Sequence, residues 1–269
     1  MKARTAILAL AAVLLFASAP RAGAITWFPR EFECPVCHTK NTFLTWGSYG
    51  SYIYQDPSKF QLIFWPFTDR PTVYTCKKCH LSTFMSDFED VPKEKHEEIL
   101  KALEGVKLEY SEAGSAYYKE AEYLKIPVTQ RLLAAGAVYK VLGSDDDFWC
   151  HFYRVLGYHY EAEENQAKAD EARRAALDIA LRMLGDKERA DRRKEFLVIT
   201  GAMRHFLRDD AAALRDFREA LALKYGNKSL EAENVKNYDE YLTELLREYV
   251  KKLGGKPEGD KPGEKKRAA

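Results

Sequence analysis

The sequence predicts an α+β protein, mostly α: a small aromatic-rich β lobe followed by antiparallel helical pairs. Three observations predict it. Fifteen aromatic residues, three of the four tryptophans among them, fall between Trp27 and Phe88, in short runs broken by Gly, Pro and Asp. From Asp90 onward the apolar residues recur at helical spacing. Four of the five cysteines form two Cys-x-x-Cys pairs, both in the aromatic part. The 269 residues allow one or two domains, and 46% hydrophobic with 31% charged residues excludes collagen-like, wholly disordered and multi-pass membrane classes. Lys plus Arg is 42 and Asp plus Glu is 41, a net charge of +1, so nothing global favours a nucleic-acid partner.

Taken in order, residues 1–24 read as a signal peptide. Lys2 and Arg4 form a basic start, Ala6 to Phe16 is an uninterrupted apolar run, and Ala22-Gly23-Ala24 fits a small-x-small cleavage site. The run is too short to span a bilayer as a mature helix, so no membrane span is expected after cleavage and the chain is expected to be periplasmic or secreted. Residues 25–89 form the β lobe. Thr42 to Trp46, Tyr52 to Tyr54, Gln61 to Trp65 and Thr72 to Thr75 are its expected strands, with turns at Gly47, Gly50, Asp56-Pro57, Pro66 and Asp69-Arg70-Pro71.

Residues 90–253 form the helical part. A helix capped by Asp90, with Pro92 in its first turn, would turn Ile99, Leu100 and Leu103 inward and end at Gly105. Helices are expected next at Glu109 to Leu124, Val128 to Leu142, Asp146 to Glu164, Ala167 to Leu184, Arg189 to Leu207, Asp210 to Tyr225 and Ala232 to Leu253. The short links at Gly143-Ser144, Gly185-Asp186 and Arg208-Asp209 make successive helices antiparallel neighbours. Residues 254–269 hold Gly, Pro, Lys and Glu without an apolar face and read as a disordered tail.

The helical pairs have a repeat-like signature. Leu197, Gly201, Ala213, Phe217 and Ala220 sit at tetratricopeptide-repeat (TPR) spacing, with Gly201 and Ala213 small where helices touch and Phe217 filling the gap to the next helix. An earlier pair carries Leu156-Gly157, Tyr160, Ala169 and Ala172. TPR-like pairs of this kind stack into grooves, so a protein or peptide partner is expected on the concave side. Tyr160, Arg204 and His205 are the partner-binding candidates there.

Cys34-Pro-Val-Cys37 and Cys76-Lys-Lys-Cys79 carry the strongest chemical signal. Two thiolates three residues apart in a tight turn can face one ion, and two such turns complete a tetrahedral four-sulfur site, which suits zinc. Phe32 and Tyr74 precede the pairs, as expected when a strand delivers the chain to each turn. Two alternatives use the same residues. His38 and His80 follow the pairs, and Cys-x-x-Cys-His is the attachment pattern of c-type haem, so two covalent haems with these histidines as ligands would make an electron-transfer protein. Two disulfides, Cys34–Cys37 and Cys76–Cys79, would suit an oxidising compartment.

At these residues the chain resembles a bacterial family. Phe32-x-Cys-Pro-Val-Cys, Asp69-x-Pro71, Tyr74-x-Cys-x-x-Cys, Phe84 and Phe88, followed by helices, is similar to domain-of-unknown-function family 2225. The resemblance implies a zinc-ribbon-like four-cysteine segment followed by TPR-like helices, over roughly residues 30 to 225, and implies no reaction. The family pattern usually has glycine after each cysteine turn, where this chain has His38 and His80.

The remaining candidates read as structure. Cys150, within Phe148-Trp149-Cys150-His151-Phe152, is a buried thiol; His151 and His159 are core or groove histidines; Asp145-Asp146-Asp147 caps a helix. The aromatics from Trp46 to Phe67 either build a small core or take a glycan or peptide. Gly-x-Ser-x-Gly, the phosphate-binding Gly-rich loop and His-Glu-x-x-His are all missing from the sequence, so no catalytic residue is assigned.

Overall fold

A computed structural model describes residues 26–48, 58–111 and 120–255. The expected signal peptide, the strand Tyr52 to Tyr54, the middle of the helix expected over Glu109 to Leu124 and nearly all of the tail lie outside the described residues. No described helix is long and apolar enough to cross a membrane.

Two antiparallel hairpins open the chain. β1 (Thr26–Glu33) pairs with β2 (Lys40–Ser48), and β3 (Val73–Thr75) pairs with β4 (Ser82–Phe84). The register sets Phe32 against Asn41 and Tyr74 against Thr83. Seven α-helices follow among the described residues: α1 (His96–Ala102), α2 (Val128–Leu142), α3 (Asp146–Ala162), α4 (Gln166–Gly185), α5 (Arg193–Phe206), α6 (Asp210–Leu221) and α7 (Ala232–Lys252). The α+β, mostly α class is therefore the observed one.

Local chemistry places the helix ends. Asp145, Asn165 and Asp209 each accept a hydrogen bond from a backbone N–H in the first turn of the helix that follows, as capping residues do. Gly143 ends α2 in the left-handed conformation. Contacts along α3 and α4 run in opposite senses: Glu161 bonds Arg173, Cys150 Sγ faces the Ala176 carbonyl, and Asp146 pairs with Arg182. The pair is thus antiparallel. α5 and α6 repeat the arrangement, with Arg204 against Asp216 and Gly201 against Phe217. The small residues lie at close contacts as expected. A Cβ on Gly201 would come within 2.4 Å of the Phe217 ring, and one on Gly157 within 3.1 Å of Arg173. Ala213 and Phe217 are fully buried.

Several expectations are corrected. Gln61 to Trp65 is not a strand; Lys59–Gln61 is a 3-10 turn and the chain continues through further turns. The helix expected from Asp90 starts at His96 after a 3-10 turn at Lys93–Lys95, and Leu100 is 41% exposed instead of facing inward. Glu122–Lys125 is 3-10 and Glu109 to Ser111 are not helical, so the described ends of the helix expected over Glu109 to Leu124 are not α-helix. The helix expected from Arg189 begins at Arg193, behind a 3-10 segment, Lys187–Arg192.

The segment from Ser58 to Val73 ties the halves together. It crosses the helices from α7 towards α2, and buried side chains hold its backbone. Tyr249 donates to the Phe60 carbonyl, Arg154 to Gln61 and Leu62, His159 Nε2 to Phe67 at 2.9 Å, and Arg131 to Arg70 and Val73. Arg173 reaches the Gln61 side chain at 3.0 Å. Phe60 and Leu62 lie in the apolar cluster of α4 to α7, and Ile63, Val73 and Phe84 in that of α2 and α3. The change of composition near residue 90 therefore marks two parts that share their cores. Donors that a groove would otherwise offer to the carbonyls of an incoming peptide are here taken by the chain's own carbonyls.

Candidate metal centre

Each hairpin ends in the same turn. Cys34 N–H bonds the Thr39 carbonyl and His38 N–H bonds the Cys34 carbonyl, both at 2.9 Å. In the second, Cys76 N–H bonds Leu81 at 2.8 Å and His80 N–H bonds Cys76 at 3.1 Å. The strands β1 and β3 deliver the first cysteine of each pair, as the positions of Phe32 and Tyr74 imply. Beneath the turns lies an aromatic floor, where Phe43 stacks on Tyr74 at 4.3 Å and meets Phe88 and Tyr123 edge-on. Tyr123 also donates to the Pro71 carbonyl, so the helical half braces the floor.

The turns bring the four sulfurs to one point. Cys34, Cys37, Cys76 and Cys79 hold their Sγ atoms within 4.8 Å of one another. Cys34 and Cys79 are 3.6 Å apart, and Cys37 and Cys76 are 3.5 Å apart. Four sulfurs at ~2.3 Å from a tetrahedral zinc ion lie about 3.8 Å from each other, so the donor set fits such an ion. Cys34 and Cys76 are buried, while Cys37 and Cys79 are half-buried. Hydrogen bonds from the neighbouring Cys34 and Cys79 thiols hold Cys76 far below the usual thiol range. Sharing that proton with Cys76 pushes Cys34 up to about 12.

Second-layer contacts complete the site. Asn41, buried on β2, directs Nδ2 at Cys76 Sγ at 3.6 Å and at the Thr39 carbonyl at 2.8 Å, and its Oδ1 accepts from Lys77 N–H at 2.9 Å. One amide therefore fastens the first turn to the second. Thr39 Oγ1 lies 3.3 Å from Cys37 Sγ. Sequence reading missed Asn41; its register opposite Phe32, two residues before the first pair, is the signal that could have found it.

The two alternatives are corrected. Two haems would need the pairs apart, each with room for a macrocycle, whereas the pairs converge. His38 and His80 face away: Nδ1 of His38 meets Glu33 at 2.9 Å, and Nδ1 of His80 meets the Val106 carbonyl at 3.2 Å. Neither disulfide of the second alternative is formed, since all five cysteines are free.

The partner-binding candidates are not brought together. Tyr160 is 7% exposed and belongs to the core shared by α2, α3 and α4, not to an open face. Arg204 is paired with Asp216 at 2.5 Å and His205 with Asp210 at 2.6 Å. Cys150 is buried as expected, and burial raises its thiol pKa, which makes it inert.

Comparison with known proteins finds no match among curated proteins or solved structures. The sequence profile of one family, described as uncharacterized proteins conserved in bacteria, matches residues 27–241, which takes in both cysteine turns and the helices into the first half of α7. With that span covered, the chain belongs to domain-of-unknown-function family 2225.

Proposed function

We propose that this protein is an exported scaffold in which Cys34, Cys37, Cys76 and Cys79 hold one structural zinc ion and the TPR-like helical body binds a protein or peptide partner. The observation that carries the metal reading is the convergence of four sulfurs within 4.8 Å. A soft four-sulfur set favours zinc over hard cations, and four protein ligands leave no open position for water or substrate. The ion would supply folding free energy at the point where the two hairpins meet. Export rests on the basic, apolar and small-residue pattern of residues 1–24.

Support for a partner surface lies on the outside of α2 and α3, because the chain's own Ser58-to-Val73 segment already covers one face of the helices. α2 packs chiefly on β4, and an apolar cleft of about 460 Å³ opens between α2 and α3. Leu133, 50% exposed, lines it with Ala137, Trp149 and Tyr153, and Lys140 is its one charged residue. The fitting occupant is an amphipathic helix with an acidic residue opposite Lys140.

The test is metal analysis of the mature chain purified without affinity metals. One zinc per chain is expected, and none in Cys37→Ser; iron, or no metal in the unmodified protein, overturns the zinc reading. A photo-crosslinking residue at Leu133 in the producing bacterium should give discrete protein adducts that the same residue at Leu181 does not. Equal labelling from both positions rejects this face.

A further inference from the structure

We propose that the cleft between the β1–β2 hairpin and the chain after β4 is a carbohydrate-binding site that takes the ring of a neutral pyranose. The cleft measures about 410 Å³, within the range of small-molecule pockets, roughly 300–1,000 Å³. Two aromatic rings flank it in solvent: Phe28 is 44% and Trp46 41% exposed. Both are held in place. Trp46 meets Trp65 edge-on at 5.2 Å, and Phe28 packs so closely on Gly47 that a Cβ there would lie 2.9 Å from its ring. An unsupported surface aromatic would fold back onto its neighbours; these are braced and still face outward.

Polar groups complete the cleft. Arg30 lies over the Phe32 ring at 5.1 Å, which fixes its guanidinium beside the aromatic floor. Glu89 enters from the chain after β4, and Thr45 sits beside Trp46. Among the described residues neither Arg30 nor Glu89 is in an ion pair, so a cation and an anion of unspent hydrogen-bonding capacity face one amphipathic hollow. A pyranose matches this set. Its apolar C–H face lies against aromatic rings, while vicinal hydroxyls accept from a guanidinium and donate to a carboxylate. A lipid chain would bury both charges.

The experiment titrates the full mature chain with chitotriose, cellotriose and maltotriose, read by tryptophan fluorescence and by saturation-transfer NMR. Saturable binding of at least one trisaccharide is expected. Trp46→Ala should abolish it, and Glu89→Gln should weaken it about tenfold, the loss of one charge-assisted hydrogen bond. Glu89 is exposed, so Glu89→Gln should leave melting temperature and metal content as in the unmodified protein, while Trp46→Ala, which also loses the Trp65 contact, should leave metal content unchanged. Absence of saturable binding for all three sugars overturns the proposal. So does binding that Trp46→Ala leaves intact, or a Trp46-dependent site that takes peptides and no sugar.

Discussion

His38 and His80 occupy the same backbone position in their two turns, with φ of 57° and 61°. Each follows the second cysteine of its pair, and each N–H reaches back to the carbonyl of the first. The left-handed conformation lets the chain reverse into β2 or β4 while both sulfurs face inward. Glycine would adopt this positive φ without a steric penalty, which an L-residue does not. The histidines are therefore turn residues whose rings point away from the sulfurs.

His38→Gly and His80→Gly should accordingly raise stability, by about 0.5–1 kcal/mol each, since an L-residue in this region costs roughly 1–2 kcal/mol and glycine repays part of that through a freer unfolded chain. The exposed His38–Glu33 contact offsets little. Urea denaturation with metal analysis checks this. Loss of the metal in either variant would mean that the histidines act as ligands.

Asn41→Leu should weaken the metal site without removing a ligand. The substitution keeps the branched shape but strips Cys76 of its amide donor and leaves the Lys77 N–H without its acceptor. Metal affinity should drop about 10–100-fold, the usual cost of losing a second-layer partner. Chelator competition measures it, and an unchanged affinity would reduce Asn41 to a packing residue.

Much of this was legible in the sequence, and the rest was not for identifiable reasons. The bounds of α2 coincide with those expected, and those of α3, α4 and α7 nearly so, because Asp145, Asn165 and Gly143 punctuate a clear helical period. The cysteine spacing exposed the four-sulfur cluster. Gln61 to Trp65 misled because an apolar run reads the same whether a sheet or a set of helices buries it; here Arg154 and Arg173 on the helices satisfy the segment that strand partners would otherwise hold. Tyr160 misled because helical spacing gives its side of α3 but not what covers that side. Asn41 was missed because its three partners come from two turns far apart in sequence, so its position two residues after Thr39 suggested nothing of its second-turn contacts.

Gly201→Ala should cost about 1–3 kcal/mol, the usual penalty for overfilling a packed contact. The added methyl would sit 2.4 Å from Phe217 Cε1, and Phe217 is itself stacked on Tyr249 at 4.3 Å, so the ring has nowhere to retreat. Phe217→Leu in the same chain should recover part of the loss, giving a coupling energy in the double-mutant cycle. Strictly additive effects would place the strain elsewhere.

Acid should weaken the fold through His159. Burial, aided by the charges of Arg131 and Arg70, lowers its pKa to about 4, against 6.5 for the free imidazole. The native state needs the neutral ring, with Nε2–H donated to the Phe67 carbonyl at 2.9 Å. Between pH 6.5 and 4 the unfolded chain therefore binds a proton that the native chain does not. Stability contributed by this group is complete above pH 6.5 and declines as the pH falls towards 4, by on the order of 2–3 kcal/mol at most. Thiol protonation would also loosen the metal set in acid, so the comparison must be internal. His159→Gln carries no titrating ring and keeps an N–H donor for Phe67. Its urea midpoint should fall less than that of the unmodified protein between pH 7 and pH 4.5. Parallel losses in the two proteins would assign the acid sensitivity to other groups, among them the cysteines and His151, whose burial also lowers its pKa, to about 3, and leave His159 without a part in it.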